Sequence, residues 1–220
     1  MSRSCLSGRQ TNSMPPLSTH FRFAILLMPH LGIFTYQGDF VLGTTAPDAF
    51  EPDSEVSFSR HHFRAVDSTI SLPDFLKATN FITQPSDNPA WSFACGYYCH
   101  LWLDVFYRDN AERISFKRPA GMSDSDLRSR VRRETEILNA PFVLKISNMP
   151  SSDLIQELKL PPGLEFIDLE RCTHLFHEVV QQSQVWSVPA PKFESREPGE
   201  FAAFLASASK LFLNEIQTTA

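Results

Sequence analysis

The chain has 220 residues, a formal net charge of −5 at pH 7, 19 Phe and 8 Gly. This length suits one sizeable domain with a full core, and the negative charge argues against a broad basic surface for nucleic acid or an anionic membrane. Many phenylalanines and few glycines favour packed helices over a glycine-rich β architecture.

The first 13 residues, MSRSCLSGRQTNS, are polar and aperiodic. We expect a disordered extension over residues 1–13 and a single folded domain over residues 14–220. No convincing signal peptide is visible, and no run reaches the roughly 18 apolar residues of a membrane span. The expectation is therefore a cytoplasmic protein without a transmembrane segment, in which the 4 cysteines are reduced.

Helical periodicity and capping residues divide the domain into segments. Helices are predicted at 18–32, 38–46, 71–80, 92–109, 123–139, 151–159, 163–184 and 198–217. The first helix takes Ser18 or Thr19 as its N-cap and ends at Gly32. The stretch 47–64 is predicted to be a long loop, and only 141-PFVLKI-146 resembles a β-strand. The predicted fold is all-α, a single-domain multi-helix bundle.

The segment 92-SFACGYYCHLWLDVFYRD-109 combines a histidine and an aspartate with an otherwise apolar helix. His100 and Asp104 are four residues apart and share a face, and Gly96 leaves room on that face for close approach of another group. A helix that is apolar nearly all round is buried, so Asp104 needs a cation as partner. An imidazole with a carboxylate is a suitable ligand pair for Zn²⁺.

Two other interpretations of this segment stay open. His100 and Asp104 can form a structural hydrogen-bonded pair in the core without any metal. Cys95 and Cys99 can be read as thiolate ligands, but His100 points about 100° away from their face of the helix. We therefore favour a role for both cysteines as small core residues.

Four more residues of ligand type stand in unusual places. Asp48 directly follows the helix-stopping Pro47, His61 and His62 lie near the end of the long loop, and His20 lies in the first turn of the first helix. Each has an ordinary interpretation by itself, since a residue such as His20 is often a surface or capping histidine. Their order along the chain is more informative than any one of them.

Taken in chain order, His20, 42-LGTTAPDAF-50, 60-RHHF-63 and 95-CGYYCHLWLD-104 resemble the zinc-dependent phospholipase C family. In that family an early His, an Asp after a GxxxPD turn, a His followed by Phe and a GYxxHxxxD helix hold a cluster of metal ions. The cluster is shared with single-strand-specific zinc nucleases. The resemblance covers roughly residues 14–110 and implies the same all-α fold.

Carried over to this sequence, the resemblance implies that Asp48, His62 and His100 hold one zinc ion. Asp104 would bridge this ion to a second one, which would also take His20. Asp48 would in addition be catalytic, because a free carboxylate oxygen can orient or deprotonate the attacking water.

A third metal of the family needs a histidine soon after the HxxxD aspartate and a later HxxxE or HxxxD pair. The sequence 105-VFYRDNAER-113 contains no histidine. His174 and Glu178 form a later HxxxE pair, for which a solvent-facing i,i+4 pair is the alternative interpretation. His61 remains the alternative to His62. We therefore expect two zinc ions rather than three.

The function implied by the resemblance is a zinc-dependent phosphoester hydrolase of the phospholipase C type that uses a zinc-activated water. Its substrate would be a phosphoester small molecule or a phospholipid headgroup. No stable nucleic-acid partner is expected, since phosphate contacts favour basic surfaces. The alternative is a non-catalytic helical binding or scaffold protein that retains the fold with at most a structural metal.

Overall fold

The computed structural model describes residues 14–50, 55–65, 69–80, 88–114, 116–147, 158–186 and 193–219. These residues form eight α-helices: α1 Leu17–Leu31, α2 Gln37–Thr45, α3 Glu55–His61, α4 Leu72–Thr79, α5 Pro89–Asn110, α6 Asp124–Ile146, α7 Leu169–Trp186 and α8 Pro198–Thr219. Short 3₁₀ turns at Ala46–Asp48 and Ala111–Arg113 follow α2 and α5. Pairing of β type is limited, within this part of the chain, to two isolated bridges. The predicted all-α fold is confirmed, while the extension predicted at 1–13 and most of the helix predicted at 151–159 lie outside the described residues.

Helix α5 is buried along most of its length, and its crossing with α2 is unusually close. A Cβ built on Gly96 would overlap the carbonyl oxygen of Phe40, and one built on Gly43 would overlap the backbone of α5. The two helices therefore touch through their backbones, as the missing side chain at Gly96 predicts. This contact brings the Thr44 carbonyl within hydrogen-bonding distance of the His100 ring.

The start of α1 differs from the prediction. Pro16 is the N-cap residue, and Ser18 and Thr19 lie inside the helix, where they are buried. Asn139 of α6 donates to the hydroxyl oxygens of Thr19 at 2.9 Å and of Ser18 at 3.4 Å. The two hydroxyls therefore join α1 to α6 instead of capping α1. Gly32 ends the helix with a φ of 69°, as predicted.

Two other local predictions are wrong. The predicted loop at 47–64 contains the end of a 3₁₀ turn and the helix α3. The predicted strand at 141–146 is the last part of α6, which continues through Pro141. Val143 and Ile146 are completely buried there, and α6 packs against α1 and α7. Burial of these side chains outweighs the β propensity of the run, because β propensity depends strongly on context.

Among the described helices, none combines the length and the apolar character needed to cross a lipid bilayer.

Candidate metal centre

Five polar side chains from four segments of the chain converge in the interior. They are His20 of α1, Asp48 of the 3₁₀ turn, His62 immediately after α3, and His100 and Asp104 of α5. The side chains of the three histidines and of Asp104 are at most 1% exposed, whereas that of Asp48 is 29% exposed. The cluster therefore meets solvent through Asp48.

Asp104 lies between three imidazole rings. Its Oδ1 is 3.2 Å from His20 Nε2, and its Oδ2 is 3.3 Å from His100 Nε2 and 3.9 Å from His62 Nε2. Among the described residues, neither carboxylate oxygen makes a hydrogen bond of good geometry, and a buried carboxylate is costly unless cationic partners surround it. The two oxygens face different histidines, which is the orientation that a carboxylate bridging two cations would have.

Asp48 completes a second group on the other side of His100. Its Oδ1 lies 3.5 Å from His62 Nε2 and 3.8 Å from His100 Nε2. The ligand atoms of Asp48, His62 and His100 lie within 4.8 Å of one another, and so do those of His20, His100 and Asp104. Either group could hold a metal ion, and His100 belongs to both.

Backbone carbonyls orient two of the rings. His100 Nδ1 donates to the carbonyl oxygen of Thr44 at 2.8 Å, and His62 Nδ1 donates to that of Phe58 at 3.1 Å. A neutral imidazole that donates through Nδ1 carries its lone pair on Nε2. Both Nε2 atoms point into the cluster and, among the described residues, have no hydrogen-bond partner. This is how proteins usually present histidine to a metal.

The spacing of the ligand atoms fits a zinc ion. Zinc binds nitrogen and oxygen at about 2.0–2.1 Å in tetrahedral geometry, so neighbouring ligand atoms should be about 3.3 Å apart. The five nitrogen–oxygen distances in the cluster run from 3.2 to 3.9 Å. His20 stacks on His100 with ring centroids 3.7 Å apart, and neither of its nitrogens has a hydrogen-bond partner. Ligand atoms at these distances could share a cation.

The neighbours of each group set its protonation. Burial lowers the pKa of His20, and His100 lowers it further against the opposing effect of Asp104. Burial also lowers the pKa of His100, but Asp104 and Asp48 outweigh burial and raise it above the ordinary value. Burial raises the pKa of Asp104, but the rings of His100 and His20 outweigh burial and lower it. Burial also raises the pKa of Asp48, and there the rings of His100 and His62 outweigh it. Both carboxylates are therefore ionised near neutral pH and place negative charge where a cation would bind.

Three residues predicted as ligands lie outside the cluster. His61 Nδ1 donates to the Ala46 carbonyl oxygen at 3.1 Å, and its ring packs edge-on against Phe166. His174 and Glu178 are exposed on α7, with 3.7 Å between Nδ1 and Oε1. They form a solvent-facing i,i+4 pair, as the alternative interpretation of the sequence had it. The fold brings His62 rather than His61 into the cluster.

The groups that orient the rings could not be recognised in the sequence. The carbonyls of Thr44 and Phe58 belong to the backbone, so no residue type marks them. Phe58 precedes His62 by four residues. Had a helix been predicted at α3, this i,i+4 spacing would have indicated the contact between the Phe58 carbonyl and the His62 ring. Cys95 and Cys99 are free and buried, consistent with a place in the core.

Comparison with known proteins bears directly on this cluster. The family model described as zinc dependent phospholipase C matches residues 19–111, a range that contains all five clustered side chains. The resemblance seen in the sequence is thereby confirmed. Searches of curated proteins and of solved structures found no match. The family match and the two His/Asp groups together support zinc binding.

Proposed function

We propose, because the family model of zinc-dependent phospholipase C matches residues 19–111, that the chain is a zinc-dependent hydrolase of phosphodiesters. The observation that carries this proposal is the convergence of three buried imidazole Nε2 atoms on two carboxylates at 3.2–3.9 Å.

The distances suggest how the side chains would divide between two ions. Asp48, His62, His100 and the Oδ2 atom of Asp104 would hold one zinc ion, since the contacts among them measure 3.3–3.9 Å. His20 and the Oδ1 atom of Asp104, 3.2 Å apart, would hold a second. When bound, zinc would polarise a phosphoryl oxygen and make a nearby water more acidic.

Asp48 is the group of the cluster that can take part in proton transfer. It is the only one of the five side chains with appreciable exposure, at 29%, and its lowered pKa keeps it ionised at neutral pH. We propose that Asp48 is the general base that accepts the proton of the attacking water. The water oxygen bonds to phosphorus as the bond from phosphorus to the alcohol oxygen breaks, and the proton passes from Asp48 to the departing alcoholate.

Asp48→Asn tests this assignment. We expect zinc-loaded wild type to hydrolyse bis-p-nitrophenyl phosphate, chelation to abolish the turnover, and the variant to lose at least about 100-fold in kcat. Release of p-nitrophenolate, zinc content and circular dichroism would be measured on the same samples.

Asp109→Asn is the matched control, because Asp109 is exposed and pairs only with Arg108 in the described part of the chain. It should keep full activity. Turnover retained in Asp48→Asn would contradict the role given to Asp48. Zinc-loaded wild type without any turnover would favour the non-catalytic scaffold instead.

A further inference from the structure

We propose that a cleft beside Asp48 binds a second negative charge of the substrate, carried on the alcohol part of the phosphodiester, through Arg60 and Arg171. This inference rests on the proposed function and narrows its substrate class. The cleft encloses about 330 Å³, and its walls include Ala49, His61 and Phe166 in addition to the two arginines.

The cleft adjoins the one side of the cluster that meets solvent. Ala49 in its wall follows Asp48, whose side chain is 29% exposed. His61, which also lines the cleft, precedes His62, whose ring lies in the cluster. A phosphodiester placed at the exposed carboxylate of Asp48 would therefore extend one of its two alcohols into this cleft.

The charges in the cleft are predominantly positive. Arg60 and Arg171 line the cleft together with the ring of His61. No described carboxylate lies within ion-pairing distance of either arginine side chain. Asp168 also lines the cleft, but its Oδ1 accepts the backbone N–H of Arg171 at the start of α7. Among the described residues of the cleft, two arginines thus face the one carboxylate of Asp168, whose Oδ1 accepts a backbone N–H.

Arg60 is held in place before any ligand arrives. Its guanidinium carbon lies 4.2 Å from the centre of the Phe166 ring, in a cation–π contact. The planar guanidinium group can form bidentate hydrogen bonds with the oxygens of a phosphate or carboxylate group. The cleft therefore fits an alcohol that carries a phosphate or carboxylate group, and it disfavours one that carries a quaternary ammonium group.

The kinetic test uses two matched pairs of substrates that differ by one phosphate group. The p-nitrophenyl ester of thymidine 5′-phosphate is compared with its 3′-phosphorylated form, and phosphatidylinositol in mixed micelles is compared with phosphatidylinositol 4-phosphate. In zinc-loaded wild type the extra phosphate should raise kcat/KM about tenfold, as for a charge-assisted hydrogen bond. If kcat/KM rises in only one pair, that pair identifies a nucleotide or a lipid as the source of the charge. If kcat/KM is the same with and without the extra phosphate in both pairs, the inference is overturned.

Arg60→Gln and Arg171→Gln should each remove most of this preference and leave hydrolysis of bis-p-nitrophenyl phosphate within about twofold of wild type. Arg128→Gln is the matched control, because Arg128 is exposed on α6 and lines no part of the cleft. A preference that persists in both cleft variants, or that Arg128→Gln also removes, would overturn the role of the two arginines.

A binding measurement separates this inference from the proposed function. Chelator-treated protein is titrated calorimetrically with thymidine 3′,5′-bisphosphate and with thymidine 5′-monophosphate. We expect tighter binding of the bisphosphate, reduced about tenfold in Arg60→Gln and in Arg171→Gln. If the bisphosphate binds in this arginine-dependent way but no ester is hydrolysed, the proposed hydrolase activity is refuted and the anion site is supported. Hydrolysis of bis-p-nitrophenyl phosphate with no arginine-dependent binding would refute the anion site alone.

Discussion

Asp39 and Asp104 are both buried aspartates, yet their surroundings shift their acidity in opposite directions. Burial raises the pKa of Asp104, but the rings of His100 and His20 reverse the effect. Asp39, in the first turn of α2, has only a hydrogen bond with its own backbone to oppose burial, and its pKa rises to about 6. Its Oδ2 is buried without a hydrogen-bond partner. The negative charge of the interior is therefore tolerated where histidines surround it and disfavoured at Asp39.

The raised pKa of Asp39 makes a prediction about stability and pH. The folded protein binds this proton more tightly than the unfolded chain, whose value is 3.8. The stabilisation is therefore complete below about pH 4 and is lost as the pH rises to about 6. Relative to Asp39→Asn, wild type should lose on the order of 2–3 kcal/mol of unfolding free energy between pH 4 and pH 7.

Urea unfolding of chelator-treated protein across this range measures the difference. Chelation matters because the cluster aspartates would otherwise add a metal-dependent term. Asp109→Asn, at an exposed position, should follow wild type at every pH. Parallel curves for wild type and Asp39→Asn would show that Asp39 is not the group that titrates.

Among the elements, the crossing of α2 and α5 determines the geometry of the site. Gly96→Ala would place a Cβ against the Phe40 carbonyl and the backbone of Thr44, where no flexible side chain can move aside. The helices would have to separate, which would draw the Thr44 carbonyl away from His100 Nδ1. We expect a loss of at least about 3 kcal/mol in unfolding free energy and weaker zinc binding.

Gly199→Ala is a suitable comparison for this variant. Gly199 also lies in a helix, at the start of α8, and a Cβ there meets nothing within 4 Å. The change should be neutral or stabilise by up to about 1 kcal/mol. Chemical unfolding and zinc titration of both variants test the argument, and equal stability of the two would refute a backbone contact between α2 and α5.

The elements also show what a sequence can and cannot reveal. The spacing of Gly96, His100 and Asp104 identified one face of α5, because the four-residue repeat of a helix can be read directly. The choice of His62 over His61 rested on the resemblance alone while α3 was taken for a loop, since the direction of each ring depends on that helix. The strand predicted at 141–146 failed for a related reason: burial against neighbouring helices, rather than local preference, decides the conformation of such a run.

At the scale of the whole molecule, the cluster connects segments that are far apart along the chain. His20 and Asp104 are separated by 84 positions and contact each other at 3.2 Å. Without a cation, the folded protein keeps several buried polar atoms unsatisfied, which costs free energy for each one. Zinc would satisfy these atoms only in the folded state, because the unfolded chain does not bring the ligands together. Folding and metal binding should therefore be coupled across α1, α2, α3 and α5.

This coupling predicts that zinc raises the melting temperature. At a free zinc concentration about 1,000 times the dissociation constant, the gain is about 4 kcal/mol, or about 8–16 °C for a domain of this size. His100→Ala should lose most of the gain, because His100 Nε2 lies 3.3 and 3.8 Å from the two carboxylates that would hold the first ion. His174→Ala, at an exposed position on α7, should keep the gain. The gain should also shrink as the pH falls, since protons compete with zinc for histidine and carboxylate ligands. Differential scanning calorimetry with buffered zinc measures these shifts, and an equal gain in both variants would mean that zinc stabilises the protein from some other site.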